Sequence, residues 1–145
     1  MPTVADILRT KGTIVHTVDA SATVLSAVHD MNQKRIGAVL VMQQGQVAGI
    51  LSERDILTRV VAEQKDPRTM LVGEAMTREV LFCDPGSDLD DVAELIRARR
   101  IRHLPVRDGQ DRIAGIISIG DINAYHVQAK QATIENLSDY ICGRS

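Results

Sequence analysis

Apolar residues at positions 24, 27, 28 and 31 follow the i, i+3, i+4, i+7 spacing of a helix with one buried face, and 89, 92, 93 and 96 follow it again. Ser87 is the expected N-cap of the second of these helices, with Asp90 three residues on. Each helix is preceded by a short segment predicted to be extended (Thr13–Val18 and Glu79–Cys83). Each is followed by an apolar strand (Gly37–Met42 and His103–Val106), a polar turn with glycine (QQGQ and RDGQDR) and a second strand (Val47–Leu51 and Ile113–Ile117). A further helix is predicted to open at Ser52 and at Ser118. The pattern predicts an α/β protein, α+β in arrangement, of two tandem β-α-β-β-α units.

The residues themselves repeat as well as the pattern. VAGILSERDILTRV at 47–60 recurs as IAGIISIGDINAYH at 113–126, and Ala48, Gly49, Ile50, Ser52, Asp55 and Ile56 are identical to their partners 66 positions later. Upstream the offset is 65: Val15, Asp19, Arg35, Ile36 and Val41 match Val80, Asp84, Arg100, Ile101 and Val106. One extra residue in DGQDR accounts for the change, and VADIL (4–8) pairs loosely with VGEAM (72–76). The chain is a tandem duplication. Asp66-Pro67 marks the break, giving copies at 1–66 and 67–126 and a tail at 127–145. In the tail Ile134, Leu137 and Ile141 are spaced for one helix face before Gly143, which would pack on the second copy or on a partner subunit.

Composition narrows the function. Aromatic residues make up 2% of the chain, so the core is aliphatic, and a formal charge of −2 gives nucleic acid neither attraction nor stacking surfaces. No apolar run approaches the roughly 20 residues needed to span a bilayer, and MPTVADILRTKG lacks the form of a signal peptide, so a cytoplasmic protein is expected. Cys83 and Cys142 have no metal-ligand spacing and are expected as reduced thiols. His16, His29 and His126 suggest no metal site either and are expected as surface or edge residues. The basic run RARRIRH and the acidic LDDVAEL fit a solvated helix face. No GxSxG and no GxxxxGK[ST] occurs, so no catalytic residue is assigned and no enzyme is expected.

The repeated phrase carries the remaining chemistry. Ser52-x-x-Asp55 and Ser118-x-x-Asp121 are close to a capping box, in which serine satisfies a first-turn amide and the acid complements the helix dipole. The same serine stands where a strand ends and a helix begins, a natural place for an anion, and a nearby carboxylate suits the two hydroxyls of a ribose. Both readings, a cap and a nucleotide site, are open from the residues alone.

The tandem unit, the phrase G-h-h-[ST]-x-x-D (h, apolar) ending each copy, and IRHLPV in the second copy resemble a pair of CBS domains, a Bateman module, in its small stand-alone bacterial form. The resemblance runs from about Val4 to Tyr125. It implies a pseudo-two-fold module with two clefts for adenosine-containing ligands such as AMP, ADP, ATP, NAD or S-adenosylmethionine. By the family pattern one cleft takes Ser52, Arg54 and Asp55 with Met76, Thr77 and Val80, and with Arg102, His103, Leu104 and Pro105. The other takes Ser118 and Asp121 with Gly12, Thr13 and Ile14, and with Gly37, Ala38 and Val39.

Arg54 faces Gly120 in the alignment, and Arg102 and His103 face Gly37 and Ala38. The cation-capable residues are therefore expected at the Asp55 cleft, which would take the more anionic ligand and bind it more tightly. The sequence is read as a non-enzymatic adenosine-nucleotide sensor, homodimeric through its helices and passing its signal to a separate protein. The alternatives are a dimerisation scaffold with vestigial clefts and a small nucleotide-processing enzyme.

Overall fold

The computed structural model describes the backbone of residues 1–141 and the side chains of residues 1–131. Two compact units emerge: Ile14–Leu81 forms one, and Met1–Thr13 together with Phe82 onward forms the other. Their limits are not those of the sequence copies, because each copy's opening segment packs in the other copy's unit.

In the unit of residues 14–81, β1 (Thr17–Asp19) runs parallel to β2 (Ala38–Gln43), and β2 pairs antiparallel with β3 (Gln46–Ser52). The helix α2 (Val24–Lys34) links β1 to β2. It is capped by Thr23, whose hydroxyl accepts from Ser26 N, and buries Val24, Ala27 and Met31 against Val39, Val41 and Leu51. α3 (Glu53–Asp55) is regular for one turn and continues as a π-helical segment, Ile56–Val61. α4 (Val72–Ala75) then returns the chain to the sheet, where Thr77 bridges Ile50.

The other unit repeats the plan. α1 (Val4–Lys11) buries Val4, Ile7 and Leu8. α5 (Leu89–Arg99) buries Leu89, Val92, Ala93 and Ile96. β4 (His103–Arg107) pairs antiparallel with β5 (Ile113–Ser118), and α6 (Ile119–Ile141) follows. Both long helices end on an arginine in the left-handed region, Arg35 at φ 56° and Arg100 at φ 54°, an αL cap that closes each helix at the same place in both copies.

Several elements differ from expectation. α1 and α4 lie outside the predicted elements: α4 has only four residues, too few for periodicity to reveal, and α1 shows a single run of the helical spacing, at 4, 7 and 8, within its eight. The extended segment at 13–18 is a strand only at Thr17–Asp19, and of 79–83 only Cys83 pairs, with Val106. The N-cap of α5 is Asp88, whose carboxylate accepts from Asp90 N at 2.8 Å, rather than Ser87. Ser87 lies in the Pro85-Gly86 turn, where its hydroxyl accepts from Asp84 N and its carbonyl from Val4 N. The tail is helical through Ile141, while the orientation expected for Ile134, Leu137 and Ile141, and the residues Cys142 and Gly143, lie outside the described residues. Among the described residues no helix is long and apolar enough to cross a membrane.

The repeated glycine has a packing cause. A Cβ on Gly49 would stand 2.6 Å from the Thr77 carbonyl oxygen and 2.7 Å from the Met76 sulfur; one on Gly115 would stand 2.7 Å from Leu8 Cδ2. Backbone cannot move aside as a leucine rotamer can. Gly49→Ala is therefore expected to cost about 1–3 kcal/mol and Gly115→Ala less, with Gly109→Ala, which meets nothing within 4 Å, as a near-neutral control. Urea denaturation of the three variants checks the order.

Candidate functional site

The end of β3 and the end of β5 form two equivalent corners. Ser52 is extended (φ −116°, ψ 165°), so the chain leaves the sheet and turns into a helix whose first amides lack helical partners. Ser52 Oγ accepts from Asp55 N at 3.2 Å, and Asp55 Oδ2 accepts from Ser52 N at 3.0 Å. At the second corner Ser118 Oγ accepts from Asp121 N at 3.0 Å and Asp121 Oδ2 accepts from Ser118 N at 2.8 Å. Both are capping boxes, each satisfying two donors, with a cap worth about 1 kcal/mol. The next amide is also accounted for. Glu53 N donates to the Gly37 carbonyl at 3.0 Å and Ile119 N to the Arg102 carbonyl at 2.9 Å, which ties each strand entry to its own copy's corner.

The carboxylates differ beyond the box. Asp55 is 7% exposed, the one charged or polar side chain buried among the described residues. Its Oδ1 accepts from the Thr77 hydroxyl at 2.9 Å. Arg59 Nε stands 3.9 Å away, and that guanidinium donates to the Met76 carbonyl. Asp121 is half-buried and takes the Lys11 ammonium at 2.7 Å, while the same ammonium donates to the Ile116 carbonyl. Burial pushes the Asp121 carboxyl pKa up, but Lys11 and Ser118 together outweigh it and hold the group below the usual carboxylate range.

The structure gathers part of each expected set. Ser52, Asp55, Met76 and Thr77 meet at one corner, with Ala38 opposite Ser52 in the β2–β3 ladder. Val39 is buried in the same unit, Val80 is half-buried and Arg54 exposed. At the other corner His103 lies opposite Ser118, Leu104 and Pro105 are buried in β4, and the Arg102 side chain is exposed. Gly12 caps α1 immediately after Lys11, Thr13 is exposed in that unit, and Ile14 opens the neighbouring unit at 83% exposure. Within a unit, then, Arg102 and His103 accompany Ser118 and Asp121.

Lys11 escaped the sequence reading. The expected cations concentrated on Asp55, yet Asp121 is the carboxylate with an ammonium on it. A signal existed: 4, 7, 8 and 11 share the helical-face spacing of the longer helices, so Lys11 continues the buried stripe of α1 at its end.

Cys83 is buried, its thiol reaching the Pro105 carbonyl at 3.8 Å. Burial, and then the charge of Asp84, push its pKa to about 11. Of the other histidines His29 is exposed, while His16 and His126 are half-buried, the latter edge-on to Tyr125. Among the described residues no three His, Cys, Asp or Glu side chains cluster as metal ligands.

With this geometry in hand, comparison with known proteins gives the class. A family model for the CBS domain matches residues 4–62 and again 72–127. The chain belongs to the CBS-domain family, whose members are generally regulatory, and carries the domain twice. The CBS domain-containing protein YhcV of Bacillus subtilis is 33% identical over 140 residues, covering 95% of this chain and 96% of its own. The crystal structure of a CBS-domain containing protein from Agrobacterium tumefaciens superposes with a TM-score of 0.82 at 36% identity, over 86% of this chain and 99% of that one. Another CBS domain pair, alike in fold alone at 24% identity and a TM-score of 0.78, covers 89% of this chain and 98% of its own; it was solved in complex with 5′-methylthioadenosine and S-adenosyl-L-methionine.

Two measurements probe the corners directly. The lowered native pKa of Asp121 makes its ionised form the stabilising one, so its contribution is full at neutral pH and is lost as pH falls through that value. Lys11 is 40% exposed, and solvent screening limits the pair to about 0.5–1 kcal/mol. Asp121→Asn is expected to lower stability by that amount at pH 7, with the gap to the parent narrowing as pH falls below the usual carboxylate range, as followed by thermal melting across pH. Peptide-resolved alkylation at pH 8 is expected to leave Cys83 unmodified in the folded protein and to label it readily in urea.

Proposed function

We propose that the protein is a non-enzymatic sensor that binds an adenosine-containing ligand at its Ser-x-x-Asp corners and shifts a conformational or dimer equilibrium in response. The observation that carries this is the duplicated corner itself, with a carboxylate buried or half-buried where a strand gives way to a helix N-terminus. A serine there is placed for phosphate and the aspartate for a ribose diol. The adenosine ligands of the related domain pair support the same chemistry.

The proposed contacts at one site are Ser52, Arg54 and Asp55, with Met76, Thr77 and Val80 and with Arg102, His103, Leu104 and Pro105. At the other they are Ser118 and Asp121, with Gly12, Thr13 and Ile14 and with Gly37, Ala38 and Val39. AMP, ADP, ATP, NAD and S-adenosylmethionine share the group these residues would read. Ligand binding moves an equilibrium only by its differential affinity for the two states. Leu57 and Val61, 63% and 62% exposed and four residues apart on the π-helical segment, favour self-association into a cytoplasmic homodimer, with a separate protein receiving the signal.

A second reading has its own observation. Serine and aspartate at each corner are already engaged in capping, which is all a dimerisation scaffold with vestigial sites would require. Thermal melting separates the two. A ligand at 100 times its dissociation constant adds about 2.7 kcal/mol, expected to raise the midpoint by several degrees and to lose most of that rise in Asp55→Ala. No shift with AMP, ADP, ATP, NAD or S-adenosylmethionine leaves the scaffold.

A further inference from the structure

The two corners share their covalent phrase and differ in what fills their acceptors. At the first, the Ile50 carbonyl accepts from Thr77 N at 2.9 Å and Asp55 Oδ1 from the Thr77 hydroxyl at 2.9 Å. The equivalent acceptors 66 residues on are the Ile116 carbonyl and the Asp121 carboxylate, and both take the ammonium of Lys11. A single flexible cation thus replaces a backbone amide and a hydroxyl. Thr77 is held there by its own backbone, because Ile50 N also donates to its carbonyl at 3.0 Å. Lys11 arrives instead on a four-carbon stem from the exposed last turn of α1, so its ammonium can leave while the helix stays.

We propose that Lys11 is a built-in occupant of the Asp121 carboxylate, its ammonium on the Oδ2 that also accepts from Ser118 N, so that a ribose diol reaching for both oxygens enters this corner only by displacing it. The inference rests on the nucleotide reading of the corners and adds a selectivity to it. An uncharged nucleoside strands the displaced ammonium, whereas a phosphate offers that ammonium a new partner. The Asp121 corner therefore discriminates against adenosine relative to AMP, and the Asp55 corner, where a hydroxyl holds Oδ1 at 2.9 Å and the Arg59 guanidinium stands off at 3.9 Å with the Met76 carbonyl as its own partner, does so less.

The test is calorimetric titration of the full chain with adenosine and with AMP, in an Asp55→Ala background that leaves the Asp121 corner in question. Lys11→Met and Lys11→Gln are compared with Lys11→Arg; the glutamine variant keeps a neutral donor for Ile116 in case the methionine variant folds poorly. Adenosine affinity is expected to rise about three- to fivefold in Lys11→Met or Lys11→Gln, with a smaller change for AMP, and to stay at the parent level in Lys11→Arg. Unchanged or weakened adenosine binding in both neutral variants, with nucleotide still bound by protein that retains Asp55, overturns this inference alone. No binding of either ligand by any variant or by the parent overturns the nucleotide reading, and the inference with it.

Discussion

A missing side chain at Gly49 and at Gly115 is the constraint on which each unit depends. Every corner needs a second segment to cross its hairpin closely enough to reach the carboxylate at the end of the strand; at Gly49 that segment is backbone and leaves no room for a Cβ, while at Gly115 the close atom belongs to the Leu8 side chain. Where the crossing segment is extended, Thr77 and Ile50 exchange both backbone hydrogen bonds, and the threonine hydroxyl is delivered to Asp55 as a result. Where the crossing segment is still helical, its amides are committed to α1 and cannot serve the strand. The Ile116 carbonyl then has to be satisfied by a side chain, and Lys11 is the one long enough. The difference between the corners thus follows from where one short helix stops.

That difference changes the kind of energy stored at each place. Hydrogen bonds from uncharged donors to a buried carboxylate hold their strength across ionic conditions and contribute about 1.5–3 kcal/mol each. An ion pair open to solvent is worth no more, and salt screens it over about 10 Å at 0.1 M. A duplicated motif has in this way acquired one rigid copy and one that responds to its surroundings.

The architecture was largely legible in the sequence because duplication supplies two readings of every element. α2 and α5, both hairpins and the helix starts at Ser52 and Ser118 fall where the periodicity and the repeat place them. What was not legible is what the pattern cannot encode at short length. α4 has no full turn of periodicity to display, and the cap of α5 moved to Asp88 because Ser87 was needed in the preceding turn. The π-helical widening after Asp55 likewise leaves no mark in spacing, since Ile56 and Val60 keep an i, i+4 relation in either helix type. At the candidate site the sequence located both corners by their identities but not their partners, because Lys11 acts through the reach of its side chain from a part of the repeat that aligns loosely.

The division of the chain into units has a consequence for its birth on the ribosome. Residues 14–81 are contiguous and can collapse as soon as they emerge, but the companion unit is written in two pieces. α1 leaves first and must wait for Asp121, 110 residues downstream of Lys11, before its ion pair can form. At about 5–20 residues per second, an amphipathic helix with Val4, Ile7 and Leu8 uncovered waits ahead of its partner for roughly ten seconds. The loop it must then close is already shortened by the folded segment inside it, which lowers the entropy to be overcome. The nascent chain is thus handed an order of assembly by its connectivity: the continuous unit first, the interrupted one after it.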